Sequence, residues 1–172
     1  MTKPLQVASQ PVITRAADAS DLPEISNLHA RIFGPGRFAR TAYRIREGQE
    51  PISPFCRVAT SGGTLVAALR FTKIAIGGTP GALLLGPLAV DTAFVNQGVG
   101  RQLISEGLEL ARAHGIGIVV LVGDEPYYGR FGFRPVPPGE ITLPGPVNPA
   151  RILALELRAG ATSEFRGAIG TG

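Results

Sequence analysis

Val95-Asn96-Gln97-Gly98-Val99-Gly100-Arg101 lies between an apolar run, residues 82–90, and a stretch of helical spacing, residues 98–114. In that second stretch Val99, Leu103, Gly107, Leu110 and Ala111 share one side, while Arg101, Gln102, Ser105, Glu109 and Arg112 share the other. This is the pattern of an amphipathic helix. Gly115 is a suitable helix stop, since glycine accepts the left-handed geometry of a helix end. Residues 116–122 are then almost continuously apolar, as expected of a strand covered on both faces. The segment therefore reads as a β-α-β unit, with the two glycines at the strand-to-helix turn.

Working outward, residues 12–15 read as a short first strand. Ser20 or Asp21 can cap a following helix, with Glu24 placed for a capping box to Asp21. Leu22, Ile25, Leu28 and Ile32 give that helix its apolar stripe, and Phe33-Gly34-Pro35-Gly36 ends it. A second, more polar helix is expected over residues 40–47. Residues 55–60 and 64–76 look like strands joined by Ser61-Gly62-Gly63, and residues 77–81 form the next turn. Residues 150–157 read as a final strand. The expectation is one domain over residues 1–158 and a loose glycine-rich tail over residues 159–172.

The composition narrows the function. With 172 residues, 44% of them hydrophobic, the chain suits one α/β domain with a real core. Its net charge of +4 is too small, and its lysines (Lys3 and Lys73) too few, to suggest nucleic-acid binding. Cys56 is the single cysteine and His29 and His114 the two histidines, so neither a disulfide nor a zinc cluster is expected. No apolar run reaches the ~18 residues of a membrane span. Residues 1–11 do not read as a secretory signal, and a cytoplasmic location is expected.

Three segments carry the chemistry. N–H groups at a helix start can surround a pyrophosphate, and glycines let backbone approach it closely. A lone GxG is also the mark of an ordinary tight turn. The P-loop pattern is absent, and Leu103 stands where GxGxxG would need its third glycine. In Gly86-Pro87-Leu88-Ala89-Val90, a proline inside a strand suggests a bulge that frees backbone groups for an extended, amide-bearing ligand. In Tyr127-Tyr128-Gly129-Arg130-Phe131-Gly132-Phe133, Tyr128 can donate a proton to a departing thiolate, or simply pack.

In this order the three segments resemble the GNAT superfamily of acyl-CoA-dependent N-acetyltransferases. The resemblance runs over about residues 12–157. Its [RQ]xxGx[GA] motif matches through Gly98 and Gly100, and its YxxxGF motif matches Tyr128, Gly132 and Phe133. It implies a mixed, twisted α/β sheet flanked by helices, mostly antiparallel, with a parallel pair that splays at the acyl-CoA cleft. Leu88, Ala89 and Val90 would pair with the pantetheine arm. Val95, Asn96, Gln97, Gly98, Val99 and Gly100 would wrap the pyrophosphate, with Arg101 nearby, and Tyr128 would be the general acid.

Val95 departs from the family's usual Arg or Gln, which leaves that position only its backbone. No Glu, Asp or His occurs within residues 83–90, where a family base often lies, and Asp91 is the nearest acid. The base is unassigned. Arg37, Arg40, Arg44 and Arg46 cluster with Tyr43 where the resemblance puts the acceptor, although charged helix faces are usually just solvated. The expected activity is acetyl transfer from acetyl-CoA, or another acyl-CoA, to a primary amine on a small molecule or protein. Direct attack needs no metal. No nucleic-acid or membrane partner is expected, and a homodimer is compatible with the sequence. The alternative is a non-catalytic acyl-CoA sensor or regulatory module.

Overall fold

The computed structural model describes residues 10–35 and 45–171. Strand β1 (Val12–Ala16) leads to helix α1 (Leu22–Phe33). Three strands follow, β2 (Arg57–Ser61), β3 (Thr64–Ile76) and β4 (Thr79–Val90). Helix α2 (Val99–Ala113) then connects β4 to β5 (Ile118–Val122). A short helix α3 (Glu125–Tyr128) precedes β6 (Arg134–Pro135), β7 (Ile141–Thr142) and β8 (Ile152–Glu156). Helix α4 (Ala161–Glu164) and strand β9 (Gly167–Thr171) end the described chain. The main sheet has the order β1-β2-β3-β4-β5-β8-β6, with β9 joined to β3 and β7. Neighbours along that order are antiparallel except the crossover pair β4–β5, and off it β7 and β9 also pair in parallel. This is the mixed sheet with one central parallel pair that the β-α-β pattern anticipates.

Side chains alternate across the strands, so each central strand feeds two cores. Leu69, Phe71, Leu83, Leu85, Val119 and Leu121 pack with Leu103, Ile104 and Leu108 of α2. On the other side, Leu28 of α1 joins Val58, Leu65, Ala68 and Ala89. Farther along that side, Ile74, Leu84, Ile118 and Val120 pack with Ile45 and Phe165. Burial on both faces explains why β5 reads as a nearly unbroken apolar run.

Helix α2 lies close to the sheet because Gly107 has no side chain. A Cβ there would sit 2.3 Å from Cε2 of the fully buried Phe71. Gly107→Ala should therefore destabilise the fold by about 1–3 kcal/mol through overpacking, although alanine is the better helix former. Urea unfolding checks this, and an unchanged midpoint would refute the close contact.

Two expectations are corrected. The capping box belongs to Asp18 and Asp21, around a one-turn 3-10 helix (Ala19–Asp21) just ahead of α1. Asp21 takes both of its oxygens to Arg15 at 2.7 Å, so it caps no α1 N–H, and Glu24 instead accepts from the Leu65 N–H at 3.3 Å. Residues 159–171 are not loose. Phe165 is 2% exposed in the core, β9 pairs with Ile74–Ile76 of β3, and β8 is not the final strand. The small residues of this segment reflect tight packing: a Cβ on Gly77 would meet the Arg166 carbonyl oxygen at 1.9 Å.

Candidate functional site

The parallel pairing of β4 and β5 covers only Ala82, Leu83 and Leu84 against Ile118, Val119 and Val120. Beyond it β4 runs on to Val90 with β3 on one edge and, among the described residues, no strand on the other. The bulge expected at Gly86-Pro87 is present: pairing with β3 passes from Phe71↔Leu85 to Leu69↔Leu88. The peptide bond between Gly86 and Pro87 is cis. The two strands thus part where the bulge begins, leaving β4 backbone polar groups open to a ligand.

The end of β4 turns into α2 through a one-turn 3-10 helix (Thr92–Phe94) and the glycine loop. Asn96 and Gly98 both take left-handed backbone, with φ of 62° and 79°. Gly98 is the N-cap of α2 and offers no side-chain hydrogen bond to the helix. The first-turn N–H groups therefore have neither an intrahelical acceptor nor a side-chain cap. With the helix dipole they make an anion-binding end. A Cβ on Gly98 would meet nothing within 4 Å, so the space in front of this end is open. Gly100 is buried, and a Cβ there would lie 3.3 Å from both Leu88 Cδ2 and Tyr127 Oη.

A surface pocket gathers Val90, Val95, Asn96, Gly98, Val99, Gly100 and Arg101. It also takes in Tyr127 and Arg130, which the motif reading passed over. The Arg130 guanidinium lies 4.9 Å over the Tyr127 ring. Their place in Tyr127-Tyr128-Gly129-Arg130, one turn of chain around Tyr128, was the available signal. Of the other expected residues, Leu88 borders Gly100, and Gln97 folds back to the Ala93 carbonyl at 3.2 Å. Ala89 sends its side chain into the α1 core, leaving only its backbone toward the cleft.

Tyr128 closes α3 just past β5. Its ring lies over Gly123, where a Cβ would be 2.6 Å from Cε2, and it meets Tyr127 edge-on at 4.9 Å. Burial, followed by the nearby Tyr127 and Asp124, pushes its phenol up to about 12. The phenol is therefore protonated at any ordinary working pH. The shift also widens its gap from a thiol in water, whose pKa is about 8.5. A thiolate held in the same apolar surroundings would be raised on the same grounds.

Asp91 has a structural task. Its carboxylate accepts from the Ala93 N–H at 3.0 Å and pairs with Arg31 of α1 at 2.9 Å, and these contacts hold it below the usual carboxylate range. Such a group is a poor proton acceptor. His114 Nδ1 donates to the Leu110 carbonyl at the end of α2, and Cys56 is buried. His29 lines a cavity between α1 and β3. Arg37, Arg40, Tyr43 and Arg44 lie outside the described residues. Among the described residues no group of three or more His, Cys, Asp or Glu could hold a metal. No described helix is long and apolar enough to cross a membrane.

Comparison with known proteins follows the same outline. The profile of the acetyltransferase (GNAT) family matches residues 22–133. An uncharacterized N-acetyltransferase, YhbS of Escherichia coli K12, is 33% identical over 116 residues, 66% of this chain and 68% of that protein. The crystal structure of Escherichia coli YhbS in complex with CoA superimposes with a TM-score of 0.80 at 27% identity, covering 100% of this chain and 93% of the other. A GNAT acetyltransferase from Brucella melitensis in complex with acetyl-CoA gives 0.62 at 27% identity, covering 88% and 98%.

Proposed function

The chain belongs to the GNAT acetyltransferase family, and from that premise we propose that it transfers acetyl from acetyl-CoA to a primary amine by direct attack. The observation that carries this reading is the uncapped, glycine-opened start of α2 beside the parted strands β4 and β5. The loop of residues 95–100 would hold the pyrophosphate through backbone N–H groups, with Arg101 and Arg130 adding positive charge. The open edge of β4 at Leu88, Ala89 and Val90 would pair with the pantetheine amides. The structures of similar proteins with CoA and acetyl-CoA support that choice of cosubstrate.

In the reaction a neutral amine attacks the thioester carbon. The C–N bond forms, the C–S bond breaks, and Tyr128 gives its proton to the thiolate sulfur. The proton released by the amine nitrogen returns to the phenolate through solvent, so an N–H is exchanged for an S–H. Backbone donors at the Gly86 to Val90 bulge would stabilise the oxyanion. With Asp91 tied to Arg31 and Ala93, the amine loses its first proton to water rather than to a nearby carboxylate.

Two measurements test this. Thiol release from acetyl-CoA across a panel of primary amines should identify a turned-over acceptor. CoA binding without turnover of any amine would favour the sensor alternative instead. With a confirmed acceptor, kcat/KM should rise with pH as the amine, near 10.4 for an unperturbed lysine-type group, loses its proton. A phenol at about 12 gives no alkaline fall below about pH 10. A decline beginning near pH 8 would contradict the assigned acid.

A further inference from the structure

The α1-facing side of β3 reads Ala68, Arg70, Thr72, Ile74. Ala68 belongs to the Leu28 core and Ile74 to the core of Ile45 and Leu84. Arg70 and Thr72 stand between these apolar clusters, as a polar break in an otherwise buried face. The break falls where β4 bulges: pairing skips from Leu69↔Leu88 to Phe71↔Leu85, so Arg70 faces the Gly86-Pro87 step. Arg46 reaches the same step, its Nη2 lying 3.1 Å from where a Cβ on Gly86 would be. The turn after Arg46 is tied in as well, since Gln49 N–H donates to the Arg46 carbonyl and Arg70 Nη2 donates to the Glu50 carbonyl at 3.2 Å.

This region is rich in donors. Thr72 is 2% exposed and its Oγ1 finds no hydrogen-bond partner among the described residues; neither does the buried Nε2 of Gln49. A buried group left without its hydrogen bond is destabilising, which favours a ligand that supplies acceptors. Arg70 also lines the ≈ 190 Å³ cavity under α1, together with Ser26, His29 and Cys56, and no Asp or Glu is among its described lining residues. The acids nearest in the chain, Glu47 and Glu50, are exposed. The guanidinium forks of Arg46 and Arg70, which both approach the Gly86-Pro87 step, suit a planar anion.

We propose that the acceptor is a small aminocarboxylate whose carboxylate is held by Arg70 and Arg46, so that its amine reaches the thioester at the parted strands. This rests on the acyl-transfer reading above. Aminocarboxylates, each paired with its own carboxamide, and phosphoethanolamine paired with ethanolamine, would be assayed for thiol release. Each aminocarboxylate would also be titrated calorimetrically into the enzyme–CoA complex. The carboxylate member of at least one pair should be preferred. Arg70→Gln and Arg46→Gln should each lower its kcat/KM about 10- to 100-fold, mainly through KM. The loss should be smaller for the matching carboxamide, and Arg70→Lys should restore part of it. Equal use of carboxylates and carboxamides, a preference confined to the phosphate pair, or parallel losses for both members would overturn the proposal. If CoA binds but no amine turns over, acyl transfer itself fails and calorimetry decides the site. Aminocarboxylate binding that either substitution weakens then supports the anion site, and absence of binding overturns it. Should Arg70→Gln fail to fold, Arg46→Gln carries the same test.

Discussion

Gly98→Glu is expected to lower CoA affinity about 100- to 1,000-fold, the most that a like charge about 4 Å from a phosphate imposes at an effective dielectric near 20. Gly98 is the site for this test because a new Cβ there meets no atom within 4 Å. The substituted chain can therefore fold with the carboxylate standing in front of the helix end. Its φ of 79° adds a backbone penalty of about 1–2 kcal/mol for any residue with a Cβ. Gly98→Asn separates the two effects, because asparagine tolerates left-handed backbone and brings no charge, so it should bind CoA far better than the glutamate variant. Gly98→Gln shows how much of the loss is bulk. Gly100→Glu should also lose binding, but through Leu88 and Tyr127, which must move to admit the side chain. Calorimetry with undiminished CoA affinity in both glutamate variants, each folded by circular dichroism, would remove the pyrophosphate assignment.

The β-α-β unit was legible because its signal is local. A strand buried on both faces, two glycines at the turn and a 3.6-residue apolar period each arise within a few residues of chain. The bulge was legible for the same reason, since Pro87 cannot donate to a ladder. Phe165 and β9 were not. Glycine and small residues near a chain end look the same whether they are loose or whether, like Gly77 against Gly167, they let two backbones touch. Only the partner strand decides between these cases, and it lies some 90 residues earlier, at Ile74–Ile76. Asp21 shows the same limit: its sequence neighbours suggested a cap, while Arg15 on the adjoining strand claimed the carboxylate.

Within the site, the backbone elements were readable and the side-chain tasks less so. Gly98 and Gly100 stand at the helix start as their spacing requires. The direction of Asp91 could not be read, because it depends on Arg31, 60 residues away. Arg130 and Tyr127 were hidden by their own neighbour: the motif drew attention to Tyr128, yet the pocket beside the loop is lined by the residues flanking it. Arg70 and Thr72 stood out as polar residues of β3, but the approach of Arg46 to the Gly86 step opposite them depends on the fold and was not readable.

Tyr128→Phe should lower kcat by about 10- to 1,000-fold, the span around typical general-acid contributions. The ring, its stack over Gly123 and its edge contacts with Tyr127 and Phe133 all survive this substitution, so the change removes a proton donor and little else. CoA affinity should barely move, because the glycine loop is untouched. Tyr127→Phe makes the informative contrast. Its hydroxyl packs at Gly100 and its ring lines the loop pocket, so its effect should fall on CoA affinity and leave kcat closer to wild type. The defect of Tyr128→Phe should shrink with an acyl donor whose thiol has a lower pKa, since a more stable thiolate needs less protonation on leaving. It should also persist across the accessible pH range, because a phenol at about 12 is never depleted there. These quantities are read as kcat for each variant with one confirmed acceptor and two acyl donors. Wild-type turnover in Tyr128→Phe would sink the general-acid role and leave the cofactor site standing. A loss independent of the leaving thiol would mean that the phenol positions the acetyl group without giving up its proton.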